Sequence, residues 1–417
     1  MQLKRVVVTG LGALTPIGNS VSEYWNGLVH GVSGSDWITR FDASKFKTRF
    51  ACEVKNFDPS LLFERKEIKK YDLFTQFALA AATEAIADSG LNLEQTDLER
   101  AGVIWASGIG GFSTLAEELR SYHKGDGTPR FNPFFIPKII TDIAAGQISL
   151  KFGLKGPNYA TVSACASSTN AIINAFNYIR LGKADMFVAG GSEATINEAG
   201  VGGFNSMQAL STNNDEYKTA SRPFDKNRDG FVMGEGGGGL ILEEYEHAVK
   251  RGAKIYAEVV GGGMSADAYH LTASHPEGDG AFRAMRAALE DAGIAPENID
   301  YINVHGTSTP VGDPSEVKAI QRLFGEHACK LNISATKSMT GHLLGAAGAI
   351  EAIASILAMV NGMIPPTINH FTDDPDLDNR LNFTFNTAQE RKLDYVLSNT
   401  FGFGGHNTSV IFKKADK

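Results

Sequence analysis

The feature that most constrains this chain is an alternation that occurs twice. Short β-branched runs at Val6 to Val8, Val103 to Trp105, Met186 to Val188 and Ile302 to Val304 alternate with helix-length periodic stretches, and a Gly or Gly-rich turn closely follows each run. Strands separated by helices read as an α/β protein with largely parallel sheets. An alanine-rich stretch ending at Asp88-Ser89-Gly90 leads to the run at Val103 and then Ser107-Gly108. A second, ending at Asp291-Ala292-Gly293, leads to the run at Ile302 and then His305-Gly306-Thr307. Likewise one helix follows Cys165 after an extended segment near Tyr159, and another follows His342 after the run around Ile333. The chain reads as two copies of one unit, 1–255 and 256–417, divided between Arg251-Gly252 and the strand Ile255 to Val260.

Composition narrows the classes of function. A hydrophobic fraction of 43% and a charged fraction of 21% over 417 residues are those of an ordinary globular protein, which excludes long disorder and a polytopic membrane protein. A net charge of −8 argues against a chain-wide nucleic-acid or anionic-membrane surface. Cys52, Cys165 and Cys329 are far apart and form no CxxC pair, so neither a disulfide framework nor a structural zinc site is expected. The stretch MQLKRVVVTG lacks the apolar core and cleavage site of a secretory signal, and the expected location is the cytoplasm. Leu343 to Ile364 carries one charge, Glu351, and is long enough to pass for a membrane span. Gly345, Gly348, Ser355 and Asn361 interrupt it, so it is expected as a buried core helix and not a membrane insertion.

Four constellations carry chemistry. Cys165, in Thr161-Val162-Ser163-Ala164-Cys165-Ala166-Ser167-Ser168, falls before a helix marked by Ile172, Ala175, Phe176 and Ile179. Free N–H groups there and the positive helix end should lower the thiol pKa. A lone cysteine is more often a small buried hydrophobe; its turn position sets this one apart. His305 ends a strand in Val304-His305-Gly306-Thr307-Ser308-Thr309-Pro310, and the following helix is expected to start with Asp313 as N-cap, Pro314 at N1 and Glu316 at N3. Lys337 and His342 lie in Thr336-Lys337-Ser338-Met339-Thr340-Gly341-His342. Glu351, inside an apolar helix, needs a partner, either Lys337 or a bound cation. Lastly, Phe401-Gly402-Phe403-Gly404-Gly405 reads as a mobile gate whose N–H groups could stabilise an oxyanion. Gly10-Leu11-Gly12-Ala13-Leu14-Thr15 only half-matches a dinucleotide fingerprint, and Gly236 to Gly239 reads as the start of a closely packed strand.

Together these motifs resemble the β-ketoacyl-acyl-carrier-protein synthases over essentially the whole chain, nearest the elongating synthase II branch of fatty acid synthesis. The resemblance implies a thiolase-like α/β fold, duplicated halves in five α-β-α-β-α layers, and a homodimer. It implies that Cys165 takes an acyl chain as a thioester from an acyl carrier protein, and that a carbanion made by decarboxylating malonyl-carrier protein attacks it. His305 and His342 would hydrogen-bond the malonyl thioester oxygen, with Lys337 also at work in catalysis and Glu351 and Asp313 supporting from behind. The N–H groups of Cys165 and Phe403 would hold the oxyanion, with Phe401, Gly402 and Gly404 completing the gate. Thr307 and Thr309 would touch the pantetheine arm, and Asp267 and Thr272 would belong to a second mobile loop. No cofactor is required, although related enzymes sometimes hold a monovalent cation at positions matching Asn303, Glu351, Ser398 and Asn399. Arg65, Lys66, Lys69 and Lys70 would dock the acidic carrier, where Gln208 replaces an arginine common in the family. Two alternatives remain: a polyketide ketosynthase of the same chemistry, and a non-catalytic partner subunit of a condensing heterodimer.

Overall fold

Ten strands carry the fold: β1 (Val6–Leu14), β2 (Ala101–Ala106), β3 (Asn158–Tyr159), β4 (Met186–Glu193), β5 (Gly236–Glu244), β6 (Ala257–Ala266), β7 (Tyr301–Asn303), β8 (Asn332–Ser334), β9 (Tyr395–Gly402) and β10 (His406–Lys414). The computed structural model describes residues 3–415. Met1 and Gln2, where the leader reading begins, and Asp416 and Lys417, the end of the second expected unit, lie outside the described residues. The strands hydrogen-bond in the order β8-β7-β9-β10-β6-β1-β5-β4-β2-β3. Read outward from the central pair β1 and β6, the two sides repeat: β1, β5, β4, β2, β3 on one and β6, β10, β9, β7, β8 on the other. The duplication expected from the sequence is thus a twofold repeat of strand order.

The sheet is not largely parallel. Only β2–β3, β2–β4, β7–β8 and β7–β9 pair in parallel. The pairs β1–β5, β4–β5, β9–β10, β6–β10 and β1–β6 are antiparallel. An apolar run carries no direction. Direction comes from the connection, and only three residues, 403 to 405, join β9 to β10, too few for a parallel crossover.

Six helices supply the other layers: α1 (Leu73–Asp88), α2 (Ile143–Phe152), α3 (Ser167–Arg180), α4 (Asp279–Ala292), α5 (Gly312–Phe324) and α6 (Ala347–Asn361). On one outer face α1 packs on β1, β5 and β4, and α2 on β2; on the other α4 packs on β6 and β10, with α5 beside it. Val317, Ile320 and Phe324 of α5 share a core with Ile302, Val304 and Ile333. Between the two strand sets α3 and α6 touch each other and both contact β5 and β10. The result is the five-layered thiolase-like arrangement. A helix apolar on every side must be interior. Accordingly, 89% of the window Leu344–Asn361 is buried, and it is the one helix among the described residues long and apolar enough to cross a membrane.

Gly10 and Gly12 sit inside β1, not in a nucleotide-binding turn. A Cβ on Gly12 would stand 2.0 Å from the Ala81 carbonyl oxygen of α1, so this glycine lets the helix lie directly on the strand. Gly236 to Gly239 open β5, as the sequence suggested.

Candidate active site

The site begins where β3 gives way to α3. Ala164 takes a left-handed φ of 50°, turning the chain sharply before Cys165. Ser167 locks the turn: its Oγ accepts the Ser163 N–H (2.8 Å) and donates to the Ala164 carbonyl (2.6 Å). The β9–β10 hairpin rests on this turn because Gly402 has no side chain. A Cβ there would stand 2.8 Å from the Ser163 carbonyl oxygen and 3.0 Å from the Cys165 nitrogen. The closeness brings the backbone N–H of Phe403 into hydrogen-bonding contact with the Cys165 sulfur.

The second half supplies two imidazoles. His305 follows β7, and its ring lies 5.2 Å from that of His342, edge to face. Phe401 packs on His305 (5.5 Å) and Phe231 on His342 (5.3 Å). Burial, and then the positive charge of Lys337, hold both histidines well below their ordinary pKa, so both rings are neutral near pH 7. Their Nδ1 atoms have no hydrogen-bond partner.

A cavity of about 470 Å³ brings Cys165, His305, His342, Phe401, Gly402 and Phe403 together, and Thr307, Thr309, Asp267, Thr272 and Gln208 also line it. The hydroxyls of Thr307 and Thr309 are 3.0 Å apart. Gly404 lies outside the lining, its N–H donating to the Leu271 carbonyl (2.7 Å), while the Asp267 N–H donates to Gly405 (2.8 Å). The two glycine-rich and polar loops are therefore tied to each other. Lys337, Glu351 and Asp313 sit behind the wall. Lys337 Nζ donates to the Glu351 carboxylate with both side chains buried, and burial pushes the Glu351 carboxyl up to about 7 against the pull of that ammonium. Arg65, Lys66, Lys69 and Lys70 are exposed, on and just after the short helix Arg65–Ile68, and none lines the cavity.

Two expectations are corrected. The thiol of Cys165 is not acidified: burial pushes it up to about 12, and the Lys337 charge and the Phe403 N–H only partly offset this. Helix α3 starts two residues later, at Ser167, and the carboxylates of Glu193 and Glu351 add to the upward shift. Asp313 is not an N-cap. Helix α5 starts one residue before it, at Gly312, whose N–H donates to Thr309 Oγ1 (3.2 Å). Asp313 instead accepts N–H bonds from Ser308 (3.1 Å), Thr309 (3.4 Å) and Phe224 (3.0 Å), pinning the loop after His305.

Two glutamates that the sequence did not mark as part of the site stand beside it. Glu316 accepts the backbone N–H groups of His305 (3.0 Å) and Gly306 (2.9 Å) and the Asn399 side-chain amide (3.1 Å), and burial pushes it up to about 7. Glu193, at the end of β4, does a similar job for the loop after β2. The sequence marked Glu316 only as N3 of a helix start, whereas α5 begins at Gly312 and Glu316 is its fifth residue; for Glu193 the only signal was a carboxylate at the edge of an apolar element. Asn303 and Ser398 are register partners on β7 and β9, and the Asn303 amide oxygen and Ser398 hydroxyl are buried without a partner. The Asn399 amide is already engaged with Glu316 and Ser409. No group of three or more His, Cys, Asp or Glu that could hold a metal occurs among the described residues.

The chain matches the family description "Beta-ketoacyl synthase, N-terminal domain" over residues 3–248 and "Beta-ketoacyl synthase, C-terminal domain" over 256–371. It is 50% identical to the 3-oxoacyl-[acyl-carrier-protein] synthase 2 of Coxiella burnetii over 414 residues, 99% of each chain. Identity to the same-named protein of Staphylococcus aureus is also 50%, over 413 residues and 99% of each. Among solved structures, the ishigamide ketosynthase/chain length factor superposes with a TM-score of 0.93 at 36% identity, covering 99% of this chain and 100% of that one. A β-ketoacyl synthase from Burkholderia phymatum gives 0.91 at 36% identity with the same coverage. A type II polyketide ketosynthase solved with its acyl carrier protein gives 0.92 at 34%, again with 99% and 100% covered. With both halves matched, the same layered fold and near-complete overlap in length, this chain belongs to the β-ketoacyl synthase family.

Proposed function

We infer that this chain is an acyltransferase that elongates fatty acyl chains by decarboxylating Claisen condensation, taking its substrates from an acyl carrier protein. The observation that carries this reading is one cavity joining the Cys165 sulfur, the Phe403 N–H and two neutral imidazoles.

In the first step the Cys165 sulfur attacks the acyl thioester and the carrier thiol leaves. Because the resting thiol is protonated, its proton must move as the C–S bond forms. A neutral imidazole in the same cavity can accept it and return it to the departing thiolate. The N–H groups of Cys165 and Phe403 hold the oxyanion. Malonyl-carrier protein then binds, and the C–C bond to its carboxylate breaks, releasing carbon dioxide. The electron pair passes to an enolate whose oxygen accepts hydrogen bonds from His305 and His342. The enolate carbon attacks the acyl-Cys165 carbonyl, and Cys165 leaves as thiolate and takes up one proton. The product is a 3-oxoacyl-carrier protein two carbons longer. Lys337 has a consistent part here, since burial and then its charge keep both imidazoles neutral and able to donate one N–H each.

No cofactor is needed for these steps. The partnerless buried oxygens of Asn303, Ser398 and Glu351 suit a monovalent cation, with Asn399 able to offer only its backbone; such an ion would supply electrostatic support behind the histidines. Thr307 and Thr309 would guide the pantetheine arm, and Arg65, Lys66, Lys69 and Lys70 would attract the acidic carrier. We divide the chain at residue 255, one half bringing the nucleophile and the other the histidines. We further propose a homodimer working in the cytoplasm. The dimer reading is supported by apolar side chains left on the surface: Val162, just past β3 at the end of the sheet, and Ile136, each 59% exposed, with Phe134 and Ile140 near Ile136 in the chain.

Purified chain given acyl-carrier and malonyl-carrier protein should release 3-oxoacyl-carrier protein, detected by mass spectrometry. Cys165→Ala should abolish condensation and leave malonyl decarboxylation measurable, because the imidazoles remain. Equal loss of both activities would contradict this division of labour. The likeness to the type II polyketide ketosynthase solved with its carrier protein favours a second reading, a polyketide ketosynthase, which would instead yield unreduced poly-β-keto chains. Turnover by the chain alone would dismiss a non-catalytic partner subunit.

A further inference from the structure

We propose that Glu193 is a buried anionic tether that fastens the floor of the acyl cavity across the two halves of the molecule and so helps decide which acyl chains Cys165 accepts. This rests on the function inferred above and deepens it.

Glu193 is fully buried, and every polar contact it makes is a donor. Its Oε2 accepts the N–H groups of Gly108 (2.7 Å) and Gly345 (3.0 Å). Its Oε1 accepts from Ser107 Oγ (3.0 Å), the Ile109 N–H (3.2 Å) and Thr195 Oγ1 (3.3 Å). The set suits a carboxylate held by hydrogen bonds alone, with no Lys, Arg or His on it among these contacts. Three of the five donors are backbone amides, and they come from both halves: Gly108 and Ile109 follow β2, and Gly345 lies between His342 and α6. The two loops touch, since a Cβ on Gly345 would stand 2.2 Å from the Gly108 nitrogen. Gly108, Ile109 and Leu344 line the cavity beside Cys165.

The duplicated fold makes the assignment sharper. The corresponding loop of the second half, after β7, is also held by a carboxylate, though from a different element: Glu316 of α5 accepts the N–H groups of His305 and Gly306. There the carboxylate seats a catalytic imidazole. In the first half the same device seats Ile109, an apolar wall, so what it positions is a surface for an alkyl chain. A glutamine in its place offers one accepting oxygen and turns an NH2 group toward other donors, which loosens the wall without changing side-chain volume. The Glu193 charge also faces Cys165 and raises its thiol pKa, which gives a second readout.

The test uses the full-length chain and Glu193→Gln, with Ser107→Ala as a milder variant that removes one donor. Three quantities are read: loading of Cys165 from acyl-carrier proteins of about six to about sixteen carbons by intact mass, malonyl decarboxylation, and alkylation of Cys165 by iodoacetamide. Because a chain-length step in an apolar pocket changes rates by roughly tenfold or more, Glu193→Gln should shift the ratio of long-chain to short-chain loading by about tenfold. Decarboxylation should stay within about twofold of the parent, since it leaves the acyl wall unused. Alkylation near neutral pH should become at least about threefold faster, because removing a nearby negative charge eases thiol ionisation. Ser107→Ala should move the loading ratio in the same direction by less, and it decides the matter if Glu193→Gln fails to fold. An unchanged loading ratio, or a uniform fall in every activity, would overturn the proposal. A parent chain that loads no acyl group at all would instead defeat the functional reading.

Discussion

Lys337 is the charge that adds to burial in holding both imidazoles neutral. It lies buried against Glu351, and its field, added to burial, keeps His305 and His342 unprotonated. Lys337→Met removes a positive neighbour, so protonating either ring becomes easier and both pKa values rise. In the proposed mechanism the neutral rings are the working form. Malonyl decarboxylation by the variant should therefore fall off at a higher pH than in the parent as the medium is acidified, a shift read from the pH–rate profile. The same change strands the Glu351 carboxyl, and losing one member of a buried pair typically costs about 3–5 kcal/mol in unfolding experiments. Lys337→Met with Glu351→Leu should recover most of that stability but not the pH profile. Cys165, His305, Lys337 and His342 were legible in the sequence because each sits at a turn next to a strand or helix signal. The protonation of Cys165 was not, because burial is a property of the assembled fold, and burial outweighs the helix end that the local sequence advertises.

At the scale of elements, the decisive contact is the β9–β10 hairpin lying on the Cys165 turn. Gly402→Ala puts a methyl group 2.8 Å from the Ser163 carbonyl and 3.0 Å from the Cys165 nitrogen, both backbone atoms that cannot swing away. The hairpin must lift, carrying the Phe403 N–H off the sulfur. Loss of one such donor costs about 10²–10³ in rate, so acyl loading measured by stopped reaction and mass analysis should drop by at least about tenfold. Malonyl decarboxylation, assigned to the histidines in the proposed mechanism, should change much less. The sequence made this hairpin visible through alternating Phe and Gly, and it also marked α6 as interior. It did not reveal that β5 and β10 run antiparallel to their neighbours, because direction is set by how a chain returns and not by its apolar residues. The first turn of α5 was misread because the helix starts at Gly312, before Asp313: Thr309 Oγ1 accepts the Gly312 N–H, and the Asp313 carboxylate turns back to the loop after His305.

For the whole molecule, the repeat explains why the site exists. Cys165 and His342 each precede a central helix, α3 and α6, and these helices pack together, so corresponding places in the two halves converge on one cavity. Duplication was readable from the paired helix–strand–glycine pattern, whereas the union of the halves into one sheet through β1 and β6 had no local signature. Val162, just past β3 at the end of the sheet, lies in solvent, 59% exposed. Apolar area of this kind is usually covered by a partner. In the proposed homodimer, Val162→Asp should weaken self-association by at least about a hundredfold, seen as a fall from dimer to monomer mass in light scattering, since an unpaired charge buried at an interface costs several kcal/mol. The account as a whole rests on Cys165 carrying the acyl group, and the most direct measurement is peptide mass mapping after incubation with an acyl-carrier protein. It predicts the acyl mass on the peptide containing Cys165, with Cys52 and Cys329 unlabelled. An unmodified Cys165, or a label on either other cysteine, would contradict it.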